Sequence, residues 1–156
     1  MTRDNYIDFL GNLRADARIL GLDVGSKTIG LSVGALKERV ATPLRTIQRR
    51  KFMLDVDEVK KQVALLGASG LVIGLPLDQN GEIGPKAQSV KDFAFEMKRQ
   101  WKECPPFVFW DERFSTQAMT DFLIREMDVT RKRRAEVIDK MAAQHILQGF
   151  LDYAAP

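Results

Sequence analysis

Ile19-Leu20-Gly21-Leu22-Asp23-Val24, then Gly25-Ser26-Lys27, then Thr28-Ile29-Gly30-Leu31-Ser32-Val33, reads as a strand, a turn and a second strand. The first run carries one polar side chain, Asp23, near its end. A short apolar run bounded by a turn is the pattern of a buried central strand. The second run is built of β-branched and aliphatic residues, which favour strands. A third strand is expected from Ala41 to Ile47. Pro43 places it towards a sheet edge, because proline has no amide to give to a ladder. Three strands in such quick succession imply an antiparallel meander.

The hydrophobic period then changes. Val56, Val59, Val63 and Leu66 recur at helical spacing, with Asp55 or Asp57 as the cap and Gly67 as the stop. Leu71-Val72-Ile73-Gly74-Leu75 is another apolar strand, and Pro76 to Gly84 is a loop. Pro85 opens a helix with an apolar face of Ala87, Val90, Ala94, Met97 and Trp101. Phe107-Val108-Phe109-Trp110 is a fifth strand, followed by helical stretches at 116–126 and 131–153. Strands joined by a crossover helix run parallel. The expected class is therefore α/β: a five-stranded mixed sheet, a three-strand antiparallel meander plus two parallel strands, with helices on both faces. Residues 1–18 read as an N-terminal extension holding a short helix around Tyr6, Phe9, Leu10 and Leu13, and 19–153 as a single domain.

The bulk composition agrees with one compact domain. The chain has 156 residues, 45% hydrophobic and 29% charged, so a core forms and disorder is not the reading. A net charge of +3 permits a nucleic-acid partner without requiring one. The single cysteine, Cys104, excludes an internal disulfide and a cysteine metal cluster, and points to an intracellular, cytoplasmic setting. Charges at Arg3, Asp4, Asp8, Arg14, Asp16 and Arg18 break any leader-like apolar stretch, and no window reaches the roughly 20 apolar residues of a membrane span. No membrane partner is expected.

In a sheet of this kind ligands collect where strands end. Asp23 lies at the end of the first strand, and Asp111 and Glu112 follow the fifth. Each alone reads as a salt-bridge or capping residue. Asp139 in the last helix adds a third carboxylate, one position off an inward stripe of Ile138, Ala142 and Ile146 and aligned with the small residues Ala142 and Ala143. Three carboxylates from two strands and a helix form a hard-oxygen set suited to Mg²⁺ or Mn²⁺. Two such ions activate water and stabilise a leaving oxygen in phosphodiester cleavage.

The cations are clustered. Arg131-Lys132-Arg133-Arg134 opens the helix that carries Asp139, against the helix dipole, and phosphate contact competes there with a solvated face. The same two readings apply to Arg45, Arg49, Arg50 and Lys51. Lys27 follows the Asp23 turn and Arg113 follows Glu112, both in reach of a phosphate, although Arg113 also suits a pairing with Asp111. Ser115 and Thr116 read as helix caps, and the only histidine, His145, as a helix-surface or core residue rather than part of a triad. Trp101, Trp110 and most phenylalanines read as core by spacing.

Four stretches in order resemble the YqgF family of RuvC-like nucleases, also called RuvX. They are Gly21-Leu22-Asp23-Val24-Gly25-Ser26-Lys27-Thr28-Ile29-Gly30, Gly74-Leu75-Pro76-Leu77 with Gly81, Asp111-Glu112-Arg113-Phe114-Ser115-Thr116, and Asp139-Lys140-Met141-Ala142-Ala143 with Ile146-Leu147-Gln148. One motif alone is weak; four in order at compatible spacing are specific. The resemblance implies a ribonuclease-H-like fold and a metal-dependent nuclease with Asp23, Glu112 and Asp139 as catalytic acids and metal ligands, Asp111 being able to replace Glu112. It further implies a structured RNA substrate, the 5′ end of precursor 16S ribosomal RNA, with ribosomal particles as partners, or branched DNA through the likeness to RuvC. The chain departs from many members at Gly34-Ala35, where they carry Ser-Asp. Two rivals compete with this reading. An actin-type ATPase shares the Asp-x-Gly turn but needs a second domain, and a binding module of the same fold would hold nucleic acid without cutting it.

Overall fold

The first apolar run forms the centre of the sheet. In the computed structural model, which describes residues 3–112 and 131–154 (3, 4 and 131–140 by backbone alone), β1 spans Arg18–Val24 and its four residues Ile19 to Leu22 are buried. A turn leads to β2 (Thr28–Ala35), which pairs antiparallel with β1. β3 (Thr42–Gln48) pairs antiparallel with β2 and forms one edge, as Pro43 predicts. β4 (Ala68–Leu75) lies on the other side of β1, and β5 (Phe107–Asp111) beyond it, both parallel. The order is β3-β2-β1-β4-β5. The expected meander and parallel pair are thus both present, joined through β1.

Among the described residues four helices flank the sheet: α1 (Arg3–Gly11), α2 (Phe52–Leu66), α3 (Pro85–Gln100) and α4 (Arg131–Tyr153). On one face Val56 and Val59 of α2 and Val90, Phe93, Ala94 and Met97 of α3 pack on Leu20, Leu22, Leu71 and Ile73. On the other, Phe9 of α1 and Ile146, Leu147, Phe150 and Leu151 of α4 cover Ile19, Val72 and Val108. The extension seen in sequence is therefore packed onto the sheet. Phe9 stacks on Phe150 at 5.7 Å, and the Tyr6 hydroxyl donates to the Phe109 carbonyl at 2.7 Å. The helical stretch expected at 116–126 lies outside the described residues. No helix among the described residues is long and apolar enough to cross a membrane.

Two local expectations are corrected. α2 starts at Phe52 with Lys51 as its N-cap, so neither Asp55 nor Asp57 caps it. Asp55 instead turns into the protein, fully buried, and accepts the Arg50 amide at 2.9 Å. On α4 the inward stripe falls on Ala143, Ile146, Leu147 and Phe150, with Ala142 only half-buried. The reason is close packing at Gly21. A Cβ there would lie 2.8 Å from the Leu147 Cβ and 2.9 Å from the Ala143 carbonyl oxygen, so only glycine lets α4 settle onto β1. The Ser32 hydroxyl, buried in β2, donates to the same Ala143 carbonyl at 2.7 Å.

Candidate active site

At the carboxyl ends of β1, β4 and β5 a cleft of about 370 Å³ opens, lined by Asp23, Gly25 and Ser26, by Pro76, by Lys86 and Ser89 of α3, and by Glu112. This is the position where open α/β sheets bind ligands. The parallel order β1-β4-β5 explains why residues 89 positions apart in sequence share one cleft: all three strands end at the same edge.

Glu112 leaves β5 with its amide donating to the Leu75 carbonyl at 3.3 Å. Its side chain lies over Gly74 of β4, where a Cβ would come within 2.6 Å of Oε2. Ile146 of α4 closes the other side of the same spot. Burial, then the charges of Asp23 and Asp111, push the Glu112 carboxyl from 4.5 up to about 7. Desolvation and like charge both disfavour its ionised form. Asp111, in register with Leu75, is not among the cleft-lining residues. Its charge also contributes to raising the Tyr6 hydroxyl to about 12, behind burial of that hydroxyl and the neighbouring Tyr153.

The course of α4 relates Asp139 to this pair. α4 runs against β1: Leu151 packs at Gly34, the partner of Ile19, whereas Ala143 and Leu147 pack at Gly21. One helical turn before Ala143, about 5.4 Å along the axis, comes Asp139. Two residues beyond Gly21 on β1, about 6.6 Å, comes Asp23. Asp139 is described by its backbone alone, as are Arg131, Lys132, Arg133 and Arg134 at the start of α4, while Arg113 lies outside the described residues. Lys27 is exposed in the turn after Asp23 and does not line the cleft. His145 is half-buried, and its Nε2 finds no hydrogen-bond partner among the described residues. Burial holds its pKa below the usual histidine value.

Sequence reading missed Lys86 and Ser89. A signal was present: Pro85 starts a helix that follows a strand ending in the second motif, and such a helix begins at the same edge where that strand ends. Lys86 brings a cation to the edge that holds Asp23 and Glu112, and α3 presents the first amides of a helix whose N-cap, Gly84, makes no side-chain cap. Both features suit an anion.

The donor set also suits a divalent cation. Asp23 and Glu112 are close enough for one charge to disfavour the other, and a hard cation relieves that repulsion. Among the described residues no three such side chains gather. The site described by side chain is a pair.

The sequence profile described as RuvX: Holliday junction resolvase matches residues 17–153. A protein of Paramagnetospirillum magneticum named "Putative pre-16S rRNA nuclease" is 49% identical over 145 residues, 93% of this chain and 92% of its own length. A protein of the same name from Roseobacter denitrificans is 45% identical over 152 residues, 97% of this chain and 93% of its own. Among solved structures, T. thermophilus RuvC in complex with Holliday junction substrate has a TM-score of 0.51 at 14% identity, covering 88% of this chain and 95% of that one. The yeast mitochondrial Holliday junction resolvase has 0.52 at 9%, covering 99% and 86%. These two structures establish the RuvC-type, ribonuclease-H-like fold.

Proposed function

The chain belongs to the RuvX family, and from that membership we propose that it is a metal-dependent nuclease hydrolysing phosphodiester bonds at the 5′ end of precursor 16S ribosomal RNA, acting on structured RNA within ribosomal particles. The observation that carries this reading is the pairing of Asp23 and Glu112 in one cleft with Lys86 on the same edge. Asp23, Glu112 and Asp139 would hold Mg²⁺ or Mn²⁺. When bound, two such ions supply an activated water and charge stabilisation for the leaving oxygen. The protein's part is placement. Lys86 and Ser89 receive the phosphate beside the acids. Lys27, Arg113, Arg131, Lys132, Arg133 and Arg134 hold flanking phosphates. Gly25 lets the backbone come near, and the rigid strand ends fix the acids relative to one another.

A second reading, resolution of branched DNA, is favoured by the description of the family itself. The two are separated by offering a precursor 16S rRNA fragment and a four-way DNA junction side by side with Mg²⁺ or Mn²⁺. We expect the RNA to be cut and Asp23→Asn to cut neither substrate while keeping its fold. Loss of a metal ligand removes several kcal/mol of transition-state stabilisation, at least about a hundredfold in rate. Full activity in Asp23→Asn refutes the site. Cutting of the junction alone moves the assignment to resolution. Binding without cutting leaves a non-catalytic module.

A further inference from the structure

The cluster Arg45, Arg49, Arg50 and Lys51 invites a phosphate-binding reading, yet its most buried member is turned inward. The Arg49 side chain is 24% exposed, and its Nε faces Oδ2 of the fully buried Asp55 at 3.4 Å. Its Nη1 donates to the Gly25 carbonyl at 2.8 Å. Its own amide donates to the Lys27 carbonyl at 2.9 Å. The guanidinium carbon stands 5.2 Å from the Phe93 ring centroid, and Phe93 packs edge-on to Phe52 at 5.3 Å. Asp55 is held in turn by the Arg50 amide at 2.9 Å and by its place in α2, beside the buried Val56. Arg45 and Arg50 both reach Glu58, at 3.4 and 3.8 Å, on the outer side.

One arginine therefore grips two carbonyls of the turn that follows Asp23, and an acid anchored in another element grips the arginine. We infer that Arg49 and Asp55 form a clamp that positions the Gly25–Lys27 turn, and with it Asp23, so that they govern turnover and not substrate capture. The inference rests on the nuclease reading for its kinetic consequence, whereas the clamp itself is a statement about the turn. Gly25 is two residues from Asp23, and its amide closes the turn on the Thr28 carbonyl at 2.9 Å. Releasing the Gly25 carbonyl lets the turn open at the cleft wall. A displacement of about 1 Å at a reacting centre costs roughly a hundredfold in rate. Arg49 and Asp55 do not line the cleft, so they are positioning residues.

The deciding variant is Arg49→Lys. It keeps the charge and much of the stem, but a single ammonium cannot span the carboxylate and the carbonyl as a planar fork does. Two readouts are taken on the full chain. Amide exchange by NMR is expected to show Gly25 exchanging at least about tenfold faster, with Leu22 and Ile73 unchanged, because only the local opening equilibrium shifts. Kinetics on the substrate that wild type cuts are expected to show kcat falling about tenfold to a hundredfold with KM and its salt dependence unmoved. Unchanged Gly25 exchange overturns the clamp. So does a rise in KM with a flatter salt slope at constant kcat, which marks Arg49 as a phosphate ligand. Asp55→Asn, nearly isosteric and able to keep the Arg50 amide bond, is the second variant if Arg49→Lys does not fold, and the same outcomes decide. If wild type cuts nothing, the nuclease reading fails, and Gly25 exchange still decides the clamp.

Discussion

The two faces of the sheet close their gaps by different means. Towards α2 and α3, β1 and β4 present Leu20, Leu22, Leu71 and Ile73, and the space is filled by side-chain volume. Towards α4 the same strands present Gly21 and Gly74, and the space is closed by moving the helix inward until its backbone bonds Ser32. The first face holds the larger of two buried cores. The second gives up side-chain volume so that a helix and the Glu112 carboxylate can lie against the strand ends. The close-approach face thus seats the Glu112 carboxylate, while the filled face carries α3, whose Lys86 and Ser89 reach the same cleft.

Perturbing each face separately tests that division, and the largest effect is expected from the filled one. Leu20→Ala removes a fully buried side chain and should lower unfolding free energy by about 2–5 kcal/mol in urea titration. Turnover per folded molecule should stay at the wild-type value. A matching fall in kcat would show that the filled face also shapes the cleft.

The glycine face should reveal itself through pH. The Glu112 carboxyl titrates near 7 in the folded protein against 4.5 unfolded, so folding favours its protonated form. The stability this gives is fully present below pH 4.5 and is lost as pH rises through about 7. Between pH 4.5 and 8 metal-free wild type should lose about 3 kcal/mol relative to Glu112→Gln. Parallel pH profiles for the two proteins would show that the carboxylate is not confined as described.

Gly21→Ala is the smallest expected change in stability, about 1–3 kcal/mol, since the added methyl pushes α4 outward. Its kcat should nevertheless fall at least about tenfold, because α4 carries Asp139. Leu20→Ala and Gly21→Ala should therefore invert: large loss of stability with intact turnover, against modest loss with impaired turnover. If both variants lose the two properties in proportion, the faces are not divided.

These contrasts also mark what could be read in advance. β1, β4 and β5 were legible because burial on both faces makes a strand a plain apolar run, and Asp23 and Glu112 were legible as the polar residues that end such runs. On α4 the inward place of Ile146 was read correctly, whereas Ala142 was taken where Ala143 belongs because the two are identical in chemistry; Gly21 on β1 decides which faces inward. Arg49 read as either a phosphate contact or a solvated cation because its partner, Asp55, reads locally as a helix cap. Lys86 escaped because it read as an ordinary solvated residue of the helix that Pro85 opens; it shares the cleft with Glu112 only through the topology that brings the start of α3 to the end of β5. Local periodicity carries information about what is buried, whereas the identity of a partner across elements is a property of topology.

β1 is made early in synthesis but stands in the middle of the sheet, and its parallel neighbour β4 begins at Ala68, after β2, β3 and α2 have been made. Long-range parallel pairing of this kind is slow to form. Asp23 waits still longer for Glu112, which follows β5, and for α4, which comes later again and packs on β1 at Gly21. A ribosome that stalls before residue 107 releases a fragment that holds Asp23 without β5 or α4 to close the sheet. On the proposed nuclease reading, such a fragment carries one acid of the site and does not cut the RNA that surrounds it.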